Sequence, residues 1–283
     1  MKTHNITGGG GVPLHIVEAG NLDGRPILFI HGFSQSSLAW SRQLDSELAR
    51  DYRLIAMDLR GHGLSDKPRD VYGDSRLWAE DVHSVIETLN LDRPVLSGWS
   101  YGTPIILDYI RHYGEDRIGG FQIVGGITKL GSDAAMSVIT PEFANLVPGF
   151  LSTDVEASVQ TLESFLRLLF LRPLSTSDLY LMLGYNASVP PHVRQAMFSR
   201  AFDNDDLLPR IRKPVLITFG AKDAILKLEV VDQHKVGLPH AQIQIVPNCG
   251  HAAFWDDPSA FNQRLRSFVD LCSSATTTRL VIA

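Results

Sequence analysis

Short apolar runs alternate along this chain with longer segments in which apolar residues recur every three or four positions. Continuous apolar runs are typical of strands that are buried on both faces of a sheet. They predict strands over residues 12–18, 26–31, 53–58, 94–98 and 120–125. The helical spacing predicts helices over residues 37–49, 76–90 and 101–113. This alternation of strands and helices indicates an α/β domain with a mostly parallel sheet.

The pattern changes between residues 128 and 208, where the strand signal is lost and apolar residues follow helical spacing between several prolines. From Ile211 onward the alternation of strand and helix returns. The sequence therefore predicts one core domain, formed by residues 1–127 and 209–283, and a helical cap insertion over residues 128–208. We expect the insertion on the side of the strand tips, where open α/β sheets carry their chemistry.

The segment Gly98-Trp99-Ser100-Tyr101-Gly102 joins a predicted strand to a predicted helix. A turn this sharp crowds its own side chains, and Gly98 and Gly102 remove the crowding around Ser100. The pattern predicts a strained backbone at Ser100 and a hydroxyl that points outward as a nucleophile. The alternative is an ordinary glycine-flanked turn, but the position between strand and helix favours the nucleophile.

A serine nucleophile needs a base and an acid that orients the base. His251 follows a strand-like run and a short turn, whereas most of the other histidines lie in polar contexts that are typical of a surface. Asp223 follows the buried run 214–219, at the tip of a predicted strand. The order serine, acid, histidine is that of α/β-hydrolases, which favours Ser100, Asp223 and His251 as a triad over a chance turn aspartate.

An acyl-transfer site also needs backbone N–H donors for the developing oxyanion. The amide of Tyr101 follows the nucleophile directly, and we assign the second donor to the amide of Phe33, after the strand 26–31. His31 precedes this loop and is interpreted as a residue that holds the loop by hydrogen bonds, because a triad needs only one base.

The segment from Asp58 to Asp66 contains an acid, a histidine, a serine and two glycines. Its spacing fits neither a zinc site nor a second nucleophile turn, so we interpret it as a structural loop.

Composition is consistent with an enzyme domain. The chain has 283 residues, of which 44% are hydrophobic, and a net charge of −5. Such a charge favours neither nucleic acid nor a membrane surface as a partner. The N-terminus lacks the apolar core of a signal peptide, and two cysteines do not form a disulfide framework, so we expect a cytoplasmic protein. Cys249, two residues before His251, is interpreted as a small buried side chain.

Together, these segments resemble the α/β-hydrolase superfamily. The resemblance rests on His31-Gly32-Phe33, Asp58 to Asp66, the turn around Ser100, Gly220 to Asp223, and Gly250-His251. Within the superfamily, the turn followed by Asp108-Tyr109-Ile110-Arg111 is most similar to the arylesterase and cofactor-free haloperoxidase branch. The resemblance implies a mostly parallel eight-stranded sheet with helices on both faces, and chemistry without a metal or an organic cofactor.

These observations predict a serine hydrolase that cleaves carboxylic esters of small apolar or aromatic substrates. Candidate pocket residues are large apolar side chains of the insertion and the turn: Trp99, Phe143, Phe165, Leu166 and Tyr185. Carbon–carbon hydrolases, lactonases, acyltransferases and perhydrolases use the same serine and stay open as alternatives, although Phe33-Ser34-Gln35-Ser36 departs from the glycine-rich loop of the first of these. Dehalogenases and epoxide hydrolases need an aspartate in place of Ser100. A ligand receptor with slow or no turnover is the alternative from another class.

Overall fold

The centre of the molecule is a mostly parallel sheet of eight strands. The computed structural model describes the backbone of residues 1–280 and the side chains of residues 1–273, so residues 281–283 of the predicted core lie outside it. The strands are β1 (Lys2–Thr7), β2 (Pro13–Gly20), β3 (Arg25–Ile30), β4 (Tyr52–Met57), β5 (Val95–Trp99), β6 (Gly120–Val124), β7 (Lys129–Leu130), β8 (Phe202–Asp203), β9 (Val215–Gly220) and β10 (Gln242–Val246). The sheet has the order β1-β2-β4-β3-β5-β6-β9-β10, while β7 and β8 form a separate antiparallel pair.

Burial explains why the inner strands are continuous apolar runs. In β3, five of the six residues are buried, and in β5, β6 and β9 all of them are. Within the eight-stranded sheet, strands β3, β4, β5, β6, β9 and β10 run parallel, and the pairs β1–β2 and β2–β4 are antiparallel. The side chains of β3, β5, β6 and β9 are therefore shielded from water on both faces, as the sequence predicts, whereas those of the edge strand β10 are partly exposed.

The helices connect these strands on both faces of the sheet. They are α1 (Ser41–Leu44), α2 (Leu48–Asp51), α3 (Ser75–Thr88), α4 (Gly102–Tyr113), α5 (Asp133–Ser137), α6 (Pro141–Ala144), α7 (Val147–Phe150), α8 (Val155–Leu169), α9 (Thr176–Ala187), α10 (Pro191–Ser199), α11 (Val230–Gly237), α12 (Ala253–Asp256) and α13 (Pro258–Leu280). The order of the strands reverses between β4 and β5, so right-handed connections place α1 and α2 on one face and α3 and α4 on the other. Over residues 1–280, no helix has both the length and the apolar character required to span a bilayer.

The helix predicted over residues 37–49 is interrupted in the structure. A 3₁₀ turn over Ser37–Trp40 precedes α1, and α2 begins only at Leu48. The Ser46 hydroxyl donates to the carbonyl of Gln43 and accepts from the amide of Leu48. Such local bonds from serine compete with the helical pattern and separate the two short helices.

Residues 125–214, between β6 and β9, are called the intervening segment here. They contain helices α5 to α10, and α8, α9 and α10 carry the apolar positions that the spacing assigns to helices. The expectation that this part of the chain lacks strands is wrong in one detail, because β7 pairs with β8. Each of these strands has only two residues, which is too short for an alternating pattern to be visible in the sequence.

A buried ion pair attaches the intervening segment to the core. Arg200, just after α10, donates from Nη2 to both carboxylate oxygens of Asp108 in α4 at 2.7 and 2.6 Å. Both side chains are less than 5% exposed, and the guanidinium also lies over the rings of Trp78 and Phe202. Because α4 begins just after Ser100, this pair links the segment to the helix that carries the candidate nucleophile.

Replacement of Arg200 with methionine should destabilise the protein strongly. The Asp108 carboxylate would stay buried without a cation, which typically costs about 3–5 kcal/mol of unfolding free energy. Arg167→Met is the matched control, because its partner Glu163 lies in an exposed pair whose loss typically costs less than about 1 kcal/mol. Urea unfolding measures both variants, and the double variant Arg200→Met/Asp108→Leu should recover most of the loss. Equal effects of the two arginine substitutions would contradict this assignment.

Candidate active site

Ser100 lies at the apex of the turn between β5 and α4 in a left-handed conformation, with φ of 54°. A Cβ atom on Gly98 would lie 2.7 Å from Ile106 Cδ1, and one on Gly102 would lie 2.4 Å from the carbonyl oxygen of Ile30. Only glycine fits at these two positions. The Ser100 amide donates to the carbonyl of Val124 at 2.8 Å, which holds the strained residue in place.

Asp223 and His251 form a buried pair after the neighbouring parallel strands β9 and β10. His251 Nδ1 lies 2.7 Å from Asp223 Oδ2, and both side chains are at most 2% exposed. The other oxygen, Oδ1, accepts from the amides of Ile225 and Leu226 at 2.8 and 2.9 Å. A carboxylate can only accept here, so Nδ1 carries the proton and Nε2 has a free lone pair. The pair thus has the tautomer required of a general base.

The turn at Ser100 and the histidine–aspartate pair share their immediate neighbours. The indole Nε1 of Trp99 donates to the carbonyl of His251 at 3.1 Å. A Cβ atom on Gly125 would lie 3.2 Å from His251 Nδ1, and the residue before it, Val124, accepts from the Ser100 amide. Within residues 1–273, the Ser100 hydroxyl itself makes no hydrogen bond. Hydrogen bonds between a nucleophile and its base are often long without substrate and shorten when it binds.

The predicted oxyanion donors lie beside Ser100. A Cβ atom on Gly32, which precedes Phe33, would lie 3.0 Å from Ser100 Cβ. Phe33 and Tyr101 are both buried, and neither amide donates to an acceptor in the described part of the chain. Buried N–H groups are nearly always paired, so two unpaired amides beside a serine are suited to a negatively charged oxygen.

His31 holds the loop that contains the Phe33 amide. Its Nδ1 lies 2.8 Å from the carbonyl of Gly32, and its Nε2 lies 3.0 Å from the amide of Leu59. The amide can only donate, so Nε2 accepts and Nδ1–H donates. The carbonyl of Gly32 and the N–H of Phe33 belong to one peptide plane and point in opposite directions, so this bond also directs the amide. Both ring nitrogens are thus used structurally, as the sequence analysis expects.

The loop from Asp58 to Asp66 is also used structurally. The Asp58 carboxylate accepts from the amides of Ser37 and Leu64 and lies 3.0 Å from His15 Nδ1. Burial raises the pKa of this carboxyl, but hydrogen bonds from His15 and the two amides outweigh it and lower the pKa to about 2. Asp58 therefore stays ionised near neutral pH and fixes the chain around the loop that contains Phe33.

A cavity of about 400 Å³ opens beside Ser100. It is lined by Phe33, Ser100, Tyr101, Ile127, Leu130, Gly131, Met136, Ile139, Phe143, Ala144, Val147, Phe198, Ile225 and Leu226. No charged side chain belongs to this lining. Ile225 and Leu226 lie two and three residues after Asp223, and this apolar pair beside the predicted acid is a sequence signal for the lining that the predicted pocket residues do not include.

Of the five predicted pocket residues, only Phe143 lines this cavity. Trp99 packs edge-on against Phe254. Phe165 supports the lining from behind through edge contacts with Phe33 and Phe150, and Leu166 is fully buried.

The fifth predicted pocket residue, Tyr185, is used in a polar contact instead. It donates its hydroxyl to Gln35 Oε1 at 3.1 Å. The predictions for Trp99, Phe165, Leu166 and Tyr185 are therefore wrong for this cavity. Phe165 and Leu166 are buried within the packed apolar core, as most apolar side chains of a small segment are, and Trp99 belongs to the buried strand β5.

Cys249 is buried, as expected, and burial raises the pKa of its thiol to about 11. The thiol is therefore protonated near neutral pH and does not compete with Ser100 as a nucleophile.

Comparison with known proteins agrees with this geometry. Residues 25–258 match the family model of the alpha/beta hydrolase fold. The crystal structure of a putative aryl esterase from Burkholderia cenocepacia has a TM-score of 0.90 and 34% identity, covering 96% of this chain and 100% of that one. Esterase RhEst1 from Rhodococcus sp. ECU1013 has a TM-score of 0.90 and 33% identity, covering 95% and 99%.

A curated relative points to the same branch. A putative non-heme chloroperoxidase from Synechocystis sp. is 27% identical over 253 residues, which cover 87% of this chain and 91% of that protein. The predicted fold and the resemblance to esterases and haloperoxidases are thereby confirmed.

His31 should make stability depend on pH. Burial lowers its pKa to about 4, from an ordinary value of 6.5. As the pH falls from 6.5 towards 4, the unfolded chain binds a proton at this residue and the folded protein does not. The unfolding free energy then decreases by about 1.4 kcal/mol for each unit of difference between the unfolded and folded pKa values, or about 3 kcal/mol in total.

The variant His31→Gln lacks this contribution, so its stability deficit relative to the unmodified protein should narrow between about pH 7.5 and pH 4.5. Urea unfolding at both pH values measures the two deficits. Parallel pH profiles for the two proteins would contradict the assignment.

Proposed function

The chain belongs to the α/β-hydrolase family, and on this premise we propose that it is a serine hydrolase of carboxylic esters with neutral, apolar acyl groups. One observation carries the proposal. Ser100, in its strained turn, lines the same apolar cavity as Phe33 and Tyr101, whose amides have no acceptor among the described residues. The esterase neighbours support the same reaction class.

The proposed reaction follows from the geometry of the site. Ser100 Oγ attacks the ester carbonyl while His251 Nε2 takes its proton, and the amides of Phe33 and Tyr101 stabilise the oxyanion. The imidazolium then donates its proton to the leaving alcohol as the C–O bond breaks, which leaves an acyl-enzyme on Ser100. Water, deprotonated by the same histidine, releases the acid and restores the serine. Asp223 stabilises the imidazolium in both halves of the cycle.

The cavity favours apolar acyl groups. Its volume of about 400 Å³ is within the range that is usual for small-molecule sites. Nine of its fourteen lining residues, which lie between Ile127 and Phe198, come from the intervening segment. We therefore also propose that residues 128–208 act as a cap, and that residues 1–127 and 209–283 form the core.

Replacement of Ser100 or His251 with alanine should lower kcat for p-nitrophenyl butyrate by about 10⁴-fold or more, and Asp223→Ala should cause a smaller loss. Steady-state assays and fluorophosphonate labelling of the folded variants measure these effects.

A second serine–histidine contact provides the matched control. Ser75 Oγ lies 2.8 Å from His112 Nε2 on α3 and α4, but away from the cavity lining. Ser75→Ala should keep full activity. Multiple turnovers would exclude a receptor function, whereas ligand binding without turnover, or activity that survives Ser100→Ala, would refute the proposal.

The enzyme should discriminate between acyl groups of equal length by their charge. A terminal carboxylate in this cavity would be buried without a cation, at a cost of several kcal/mol. We expect kcat/KM for the p-nitrophenyl monoester of glutarate to be at least about 100-fold lower than for p-nitrophenyl pentanoate, since about 1.4 kcal/mol corresponds to a factor of ten. Equal values would contradict the assignment of a neutral acyl site.

A further inference from the structure

The loop that carries His251 is bound on both sides of the histidine. The amide of Gly250 donates to Asp256 Oδ2 at 2.7 Å. The amide of Ala252 donates to the carbonyl of Leu169, at the end of α8, at 3.0 Å. The loop is also close to the intervening segment, since a Cβ atom on Gly250 would lie 3.0 Å from the amide nitrogen of Leu171. The backbone around His251 is thus positioned by contacts with α12 and with the intervening segment, outside β10.

Asp256 is the charged group in this arrangement. Its side chain belongs to α12, and the residue is 4% exposed. Besides the amide of Gly250, it accepts from the amide of Leu171 with both oxygens, at 3.0 and 3.2 Å, and from the amide of Arg172 at 3.4 Å. Among the described side chains, no Lys, Arg or His forms an ion pair with it. The carboxylate is therefore bound by backbone N–H groups, which form strong bonds with an anion.

We propose that Asp256 is a positioning residue for His251, and that it couples the orientation of the base to the intervening segment through Leu171 and Arg172. This inference rests on the proposed function, in which His251 is the base. Three hydrogen bonds hold the histidine and its loop. Asp256 accepts from the amide of Gly250, Asp223 accepts from the imidazole of His251, and Trp99 donates to the carbonyl of His251. Loss of one anchor allows the loop to shift, and a displacement of about 1 Å at a reacting group can cost about 100-fold in rate.

The hydrogen bonds to Asp256 require both its negative charge and its two carboxylate oxygens. One oxygen receives the N–H of Gly250, and the two oxygens together receive the N–H groups of Leu171 and Arg172. An asparagine has a single acceptor oxygen, and its NH₂ group would face an N–H donor on one side. Asp256→Asn is therefore nearly isosteric, but it disrupts the hydrogen bonds from the amides of Gly250, Leu171 and Arg172.

Asp257→Asn is the matched control. Asp257 lies next in the chain, and its carboxylate accepts from the amide of Ala260 at the start of α13, without a bond to the His251 loop. Both variants remove one negative charge, but only one of them touches the loop. We expect Asp256→Asn to lower kcat for p-nitrophenyl butyrate by about 10- to 100-fold with KM nearly unchanged, and Asp257→Asn to stay within about twofold of the unmodified protein.

Two further measurements separate positioning from simple destabilisation. The rate of fluorophosphonate labelling, measured with excess probe and expressed per amount of folded protein, should fall in Asp256→Asn by about the same factor as kcat. Leu171→Pro removes the N–H that contacts both carboxylate oxygens while leaving Asp256 in place, so it tests the coupling even where Asp256→Asn folds poorly, and it should also lower kcat.

If Asp256→Asn and Leu171→Pro both keep an unchanged kcat, or change KM alone, while Ser100→Ala is inactive, the inference is overturned. Activity that survives Ser100→Ala would instead overturn the proposed function.

Discussion

The parallel direction of the inner strands is the constraint on which this site depends. Strands β3, β5, β9 and β10 all end at the same edge of the sheet. The loop with Phe33 follows β3, Ser100 follows β5, Asp223 follows β9 and His251 follows β10. Residues that are far apart in sequence therefore meet without any one loop having to be long. An antiparallel order would place every second strand end at the opposite edge.

A buried polar contact preserves the alignment of the strands that carry these residues. Ser97 in β5 donates to Gln122 in β6, and Gln122 donates to Thr218 in β9, at 2.9 and 3.0 Å. All three side chains are fully buried. A slip of one residue would turn each of them to the other face and leave polar groups unpaired in an apolar layer. The contact thus favours one register, in which the strained residue Ser100 and the Asp223 turn lie at the same edge of the sheet.

The intervening segment contacts each part of this arrangement. It binds the oxyanion loop through Tyr185 and Gln35, the helix after the nucleophile through Arg200 and Asp108, and the loop of the base through Leu171 and Asp256. A segment that only covered a pocket would not need buried polar bonds to all three. In the proposed function, the position of the intervening segment therefore affects the geometry of the reacting groups as well as access to them.

The sequence was sufficient to place Ser100, Asp223 and His251 after the ends of strands, because the signals for these positions are local. Glycines around Ser100, and strand-like runs before Asp223 and His251, identify strand tips without knowledge of the packing. The pocket could not be predicted in the same way. Four of its fourteen lining residues come from α5, α6 and α7, and most of the others come from loops. These helices have four or five residues each, and such short helices show no periodicity that separates lining from core. Whether Phe143 or Phe165 faces the cavity depends on how these helices pack.

In the proposed function, the turn after β9 connects specificity to catalysis. The carboxylate of Asp223 is fixed by the amides of Ile225 and Leu226, and the side chains of these two residues line the cavity. The same turn therefore determines the orientation of the Asp223 carboxylate and the shape of the cavity. A substitution there that alters the backbone to admit a larger acyl group would also move the acceptor of the His251 proton. Changes of specificity are less constrained at Phe143 or Met136, where the lining residue makes no hydrogen bond to the reacting groups.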